Sequence, residues 1–298
     1  MFEIADRLLA AVDAGGRLAV ATAIAIEGSA PRTVGTSMAF DGSVVIGSIA
    51  GGCVEGAVVE TCELVLADGI PRTVEYGVTD ETAFEVGLTC GGQLRIHVQP
   101  LTDDLVEALR ERRAIEVCSE FTDRPRIART MIIFGSMEYS SALSAAAQVL
   151  GFDVTVCDPR PLFTTAARFP GARVVVQWPT DFLRNATVTP DTVICVLSHD
   201  ARFDAELIAQ ALELPVAYVG AMGSRVTHDR RVASLRERGV SEEAMLRLHS
   251  PIGLDLGAST PDETAVSILA EVLSARGDTT ALPLTVTSGE IHARRSDA

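Results

Sequence analysis

The sequence predicts an α/β protein in two parts, an N-terminal α+β domain followed by a domain built on a parallel sheet. Three observations predict it. Apolar residues make up 47% of the 298 and aromatic residues 5%, so the cores are aliphatic. Short apolar runs punctuated by Gly and Pro dominate the first hundred residues. From Thr130 onward such runs alternate with stretches of helical periodicity, the rhythm of strands joined by right-handed crossovers. The length suffices for two domains. We read residues 1–114 as the first, 115–129 as a polar linker, 130–276 as the second, and 277–298 as a polar tail.

In chain order, residues 3–13 alternate at helical spacing and stop at Gly15-Gly16. Leu18 to Ile26 predicts a strand buried on both faces. Ser37–Phe40 and Ser43–Ile49 flank Asp41-Gly42, a short-range hairpin signal. A helix follows from Cys53 to about Asp68, stopped by Gly69 and Pro71, and Arg72–Tyr76 and Gln93–Val98 predict strands. In the second part, strands are expected at Met131–Phe134, Asp153–Cys157, Ala172–Gln177, Thr192–Leu197 and Val216–Val219, with helices at Tyr139–Leu150 and Arg202–Leu212. Thr260, Pro261 and Glu263 form a helix start: an N-cap, a first-turn proline and the acidic partner of a capping box. That helix runs to about Arg276.

Composition excludes several functions. The formal net charge is −15, which argues against a nucleic-acid or anionic-membrane partner. All 25 basic residues are arginine, so no Schiff-base lysine and no P-loop lysine exist. The first residues, Met1 to Asp6, lack the features of a signal peptide, and no apolar window is long enough to span a bilayer. A cytoplasmic protein is expected, its six cysteines reduced.

The second part opens like a dinucleotide-binding unit: strand, Gly135, helix, strand, then Asp158, 23 positions after Gly135, near the spacing of a ribose-binding carboxylate. The architecture is Rossmann-like, but the glycine fingerprint is broken. Met137 stands where a second glycine lets backbone touch a pyrophosphate, and Glu138 adds negative charge. NAD(P) binding is therefore not expected, although the helix N-terminus could face another phosphate-bearing ligand. Asp158-Pro159-Arg160 and Ser198-His199-Asp200 fall at strand ends, where open parallel sheets place ligands. Gly223, Ser224 and Arg225 open a further helix, with an arginine fork suited to phosphate. In the first part, Gly51, Gly52, Cys53 and Glu55 place a thiol where a glycine loop enters a helix, a setting that binds anions and lowers a thiol pKa. Cys90, Gly91 and Gly92 form a second such loop. Cys53 and Cys90 are the candidate thiols, while Cys62, Cys118, Cys157 and Cys195 read as fillers. No further Cys or His stands at ligand spacing, so no metal site is assigned.

Taken together, these motifs resemble the XdhC/CoxI family. The resemblance rests on Gly28-Ser29-Ala30-Pro31-Arg32, Gly47-Ser48-Ile49, Gly51 to Glu55 and Gly87 to Gly92 in the first part. In the second it rests on Gly220 to Arg225, Ser250 to Ala258 and Thr260 to Ile268. It implies an accessory chaperone that binds molybdenum cofactor, as molybdopterin or its cytosine dinucleotide, and protects its sulfurated form. The client would be a xanthine-dehydrogenase-like or CO-dehydrogenase-like enzyme, the sulfur donor a cysteine desulfurase, and a homodimer the assembly to test. The sequence departs from the family at Met137, Ser140 and Val226. It carries neither an iron–sulfur cysteine pattern nor a flavin fingerprint, so the chain is expected to serve such an enzyme rather than be one. Two other readings stay open: an NAD(P)-dependent oxidoreductase using Asp158, and a non-catalytic adaptor of a molybdenum oxidase.

Overall fold

The computed structural model describes residues 1–28, 32–52, 54–77, 93–125, 129–277 and 279–288. It divides into two compact units, Met1–Arg126 with the segment from Leu284, and Ile127–Pro283.

The first unit holds a sheet in the order β3-β2-β1-β5-β4, formed by β1 (Ala19–Glu27), β2 (Ser37–Phe40), β3 (Val45–Gly47), β4 (Arg72–Tyr76) and β5 (Gln93–Pro100). Every neighbouring pair is antiparallel. The β2–β3 hairpin turns at Asp41, whose Oδ1 accepts the N–H groups of Ser43 (2.8 Å) and Val44 (2.7 Å). The side chain supplies the turn's hydrogen bonds. Strand alternation separates two cores. On one face Ala19, Ala21 and Ala23 pack with Val58, Cys62 and Val65 of α2 (Glu55–Asp68). On the other, Val20 and Ile24 meet Leu8 of α1 (Ala5–Asp13) and Leu109 of α3 (Asp103–Arg110). Small alanines on β1 let α2 lie close, which is why the strand reads as buried throughout. Gly69, at φ +74°, ends α2 in the left-handed geometry that glycine adopts freely.

The polar stretch after Arg113 is not an extended connector where the structure describes it. It forms a ribbon, β6 (Ile115–Cys118) and β7 (Phe121–Asp123), with Ile115 and Val117 buried against the α1–α3 core. Glu116, Ser119, Glu120 and Thr122 face solvent, while Asp123 is buried against the Met1 ammonium, and this density of polar residues makes the segment read as a linker.

The second unit is a six-stranded sheet in the order β10-β9-β8-β11-β12-β13. Its strands are β8 (Arg129–Phe134), β9 (Phe152–Cys157), β10 (Arg173–Val175), β11 (Val193–Val196), β12 (Tyr218–Ala221) and β13 (Leu248–His249), all parallel. This is the doubly wound order of a Rossmann domain. Side chains alternate across it. Met131, Ile133, Val154 and Cys195 face α4 (Glu138–Val149) and α9 (Pro261–Ala275). Ile132, Phe134, Ile194 and Val196 share the opposite core with residues of α5 (Pro179–Asn185), α6 (Asp204–Glu213) and α7 (Arg225–Glu237). The capping box of α9 forms as the sequence predicts: Glu263 N–H donates to Thr260 Oγ1 (3.2 Å), and Thr260 N–H to Glu263 Oε2 (3.0 Å). No helix among the described residues is long and apolar enough to cross a membrane.

Candidate functional site

In a doubly wound sheet the ligand crevice opens at the carboxyl ends of the strands, where the winding reverses. Here the reversal lies beside β8, between β9 and β11. Gly135 follows β8 with φ +105°, and a Cβ there would stand 2.8 Å from Ser198 N. Leu197 N–H (2.8 Å) and Ser198 N–H (3.1 Å) both donate to Phe134 O. Close approach of the β8 and β11 ends therefore requires this glycine, whatever binds above it.

Asp158 directly follows β9 and is 2% exposed. Its Oδ1 accepts Arg160 N–H (2.9 Å) and Nε–H (2.9 Å), and its Oδ2 accepts Arg160 Nη2–H (2.7 Å) and Ser136 N–H (2.9 Å). Burial raises its pKa, but the Arg160 side chain and the two backbone donors outweigh burial and hold the carboxyl below its ordinary range. Four donors fill both oxygens. A ribose diol would find no free acceptor on the residue whose position suggests that role.

The β11 end is built the same way. Arg202 donates from Nε (2.9 Å, to Oδ1) and Nη2 (2.5 Å, to Oδ2) onto Asp200. Ser198 Oγ–H donates to Asp204 Oδ1 (2.6 Å) and Asp200 N–H to Asp204 Oδ2 (3.1 Å). Burial pushes the Asp204 carboxyl up despite these donors. Between the two strand ends lies a cavity of about 150 Å³, lined by Met137, Asp158, Pro159, Arg160, Ser198, His199, Asp200 and Phe203. The structure thus brings together Asp158, Arg160 and His199, and places Gly135 beneath them.

Gly223, Ser224 and Arg225 do not line this cavity. Ser224 caps α7, its Oγ accepting Thr227 N–H (3.1 Å), and Arg225 is exposed in the first turn. The arginine that organises this end of the sheet is Arg231, 7% exposed. It donates to Ser250 Oγ (2.7 Å) and Met222 O (2.9 Å), tying the β12 end to the segment after β13. Arg202, Phe203, Asp204 and Arg231 are absent from the sequence-based candidates. The Asp-x-Arg spacing, repeated at 158–160 and 200–202, is the signal that finds Arg202; Arg231 offers none, sitting in a polar helix with several other arginines.

In the first unit the glycine loop closes on its own chain. Glu55 Oε1 accepts Ser48 Oγ–H (2.7 Å) and the N–H groups of Ile49 (3.2 Å) and Ala50 (3.0 Å). Its Oε2 accepts Gly52 N–H (2.7 Å) and Val54 N–H (3.2 Å). Burial raises the carboxyl pKa, and these donors overcome it, leaving a value of about 2. Gly51 (φ +78°) and Gly52 (φ +114°) supply the backbone path. Among the described residues, the loop's backbone N–H groups are engaged by Glu55 or, for Gly51, by Ser48 Oγ (3.2 Å). Cys53, Cys90, Gly91 and Gly92 lie outside the described residues. Of the remaining cysteines, Cys62, Cys157 and Cys195 are buried. Burial pushes the Cys62 and Cys157 thiols up to about 12 and Cys195 higher still, so these three are core residues. No group of three or more His, Cys, Asp or Glu side chains that could hold a metal occurs among the described residues.

Comparison with known proteins places this architecture. Residues 131–272 match the XdhC Rossmann domain, and residues 11–77 match the XdhC and CoxI family. A relative from Escherichia coli K12 named molybdenum cofactor insertion chaperone PaoD is 27% identical over 295 residues, covering 89% of this chain and 86% of that protein. A Bacillus subtilis 168 protein named as a probable xanthine dehydrogenase subunit is 24% identical over 313 residues, covering 86% and 92%. The uncharacterized E. coli K12 protein YqeB is 27% identical over 262 residues. This chain spans 44% of that relative's length. A crystal structure described as a xanthine dehydrogenase from Bacillus halodurans superposes with a TM-score of 0.78 at 25% identity, over 95% of this chain and 97% of that one. Matched in order by both parts of one family and by a solved structure along nearly its whole length, the chain belongs to the XdhC and CoxI family.

Proposed function

We propose that the chain is an accessory chaperone that binds molybdenum cofactor and delivers it to a xanthine-dehydrogenase-like or CO-dehydrogenase-like molybdoenzyme. The observation that carries this reading is the match to a named cofactor insertion chaperone along 89% of the chain. The site supports it against the alternative of a nicotinamide oxidoreductase. A nucleotide in the ordinary pose needs a free ribose acceptor and a glycine under its pyrophosphate; Asp158 is saturated by its own chain and Met137 lines the cavity. The cargo in this reading is sulfurated cofactor in its molybdopterin or cytosine dinucleotide form, with sulfur from a cysteine desulfurase. Cys53 and Cys90 are the candidate thiols for that chemistry, and a homodimer is the assembly proposed.

The test is activation of a client. A cofactor-free molybdenum hydroxylase is mixed with molybdenum cofactor, with and without the chain, and its activity is followed. Faster or more complete activation with the chain supports the proposal; equal activation counts against it. Titration with NAD(H) and NADP(H) separates the oxidoreductase reading, which requires micromolar binding where the chaperone reading expects none. Unchanged client activation by a Cys53→Ala variant would remove that thiol from the account.

A further inference from the structure

The cavity at the β9 and β11 ends is flanked by two copies of one local device. In each, an arginine folds back onto the aspartate two residues before it. Its own N–H and its Nε–H go to one oxygen and Nη2–H to the other: Arg160 onto Asp158 and Arg202 onto Asp200. Each guanidinium also lies over an aromatic ring, Arg160 at 5.0 Å from the Phe163 centroid and Arg202 at 5.4 Å from Trp178. Carboxylate and ring together fix the plane of each guanidinium. Such a fork uses the Nε–Nη2 edge and leaves three of the five donors free, two on Nη1 and one on Nη2. Among the described residues neither Nη1 has a hydrogen-bond partner. That free edge matches two oxygens of a phosphate. Arg160 and Asp200 both line the cavity, with His199 between the strand ends; Arg202 is not part of that lining and stands beside it, held by its bonds to Asp200.

We propose that this cavity takes the phosphate end of the ligand, gripped by the free edge of Arg160 in its lining and, from the rim beside Asp200, by the free edge of Arg202. The inference rests on the chaperone reading for the identity of that ligand, and on the geometry alone for its phosphate. Each arginine is already neutralised by its aspartate, so recognition works through oriented donors rather than net positive charge. At about 150 Å³ the cavity falls below the roughly 300–1,000 Å³ of sites that enclose a whole organic ligand. It therefore holds one end of the molecule.

The test titrates the full chain with inorganic phosphate and inorganic pyrophosphate by calorimetry at low ionic strength, where charged contacts are least screened. Saturable binding is expected, with phosphate preferred if the natural group is a monoester and pyrophosphate preferred if it is a dinucleotide bridge. Arg202→Gln and Arg160→Lys should each weaken it about tenfold, the scale of one charge-assisted hydrogen bond. Arg184→Gln, an exposed arginine on α5, should not. No binding to wild type, or equal binding by all variants, overturns the proposal. Circular dichroism checks each fold, and the exposed Arg202 keeps the test standing if Arg160→Lys does not fold. The two readings fail separately. Arginine-dependent anion binding by a chain that activates no client sinks the chaperone reading alone. Full client activation by an Arg160→Lys, Arg202→Gln double variant, with unweakened pyrophosphate binding, sinks the phosphate subsite alone.

Discussion

Replacing Glu55 by Gln should loosen the glycine loop at the head of α2 by an amount the structure fixes. Among the described residues the carboxylate accepts five donors: Ser48 Oγ–H and the N–H groups of Ile49, Ala50, Gly52 and Val54. A glutamine keeps one acceptor oxygen and turns the other into a donor that faces N–H groups. The fall of the pKa from 4.5 to about 2 equals about 3 kcal/mol of preference for the charged form. Partial exposure and solvent screening reduce this to roughly 1–2 kcal/mol. Hydrogen exchange followed by mass spectrometry reads it locally, as peptides covering residues 48–58 exchanging roughly 5- to 30-fold faster in Glu55→Gln at pH 7. A carboxyl held below its ordinary value stabilises the fold above about pH 4.5 and loses that contribution as pH falls toward about 2. Wild-type exchange should therefore approach that of the variant in acid. Equal exchange at pH 7 would refute the view that Glu55 holds this loop.

Other consequences are as direct. Gly135→Ala should destabilise the second unit by about 2 kcal/mol or more, read in thermal melts, because φ +105° is unfavourable for alanine and the new Cβ would meet Ser198 N at 2.8 Å; an unshifted melt contradicts this. Thr260→Ala should cost about 1 kcal/mol through loss of the α9 cap, seen as faster exchange in the first turn of that helix. Cys62, Cys157 and Cys195 should resist iodoacetamide at pH 7.5 until the chain is unfolded, since burial keeps them as thiols. Rapid native alkylation at any of the three would place it outside the core.

Much of the fold is legible because its signals are local. Asp41-Gly42 makes a hairpin through its own side chain, and Thr260-Pro261-Asp262-Glu263 carries its cap within four residues. The alternation Met131 to Phe134 divides cleanly between the two faces of the parallel sheet. The ribbon β6–β7 is hidden because its inward apolar residues, Ile115, Val117 and the half-buried Cys118 and Phe121, are interleaved with Glu116, Ser119, Glu120 and Thr122. Helix α3 is hidden by its charge, its buried side being Ala108 and Leu109. At the site, Asp158, Arg160 and His199 are legible from strand-end position. What the sequence cannot carry is saturation: a lone Asp158 at ribose spacing looks like a free acceptor, and its four donors exist only once Arg160 folds back and Ser136 is placed above it. Glu55 hides likewise, since a glutamate after a glycine loop does not announce that it fills the anion nest itself. Arg231 is a distant contact across 19 residues to Ser250, beyond any local pattern.

The measurement that tests the central claim most directly is the content of the chain purified from cells that make molybdenum cofactor. Molybdenum is quantified by mass spectrometry, the pterin by fluorescence after oxidation, and nicotinamide by enzymatic assay. The account predicts molybdenum and pterin in equal amounts, lost on incubation with a cofactor-free client that gains activity in step. A chain that carries nicotinamide, or that carries no pterin and leaves the client inactive, would contradict it.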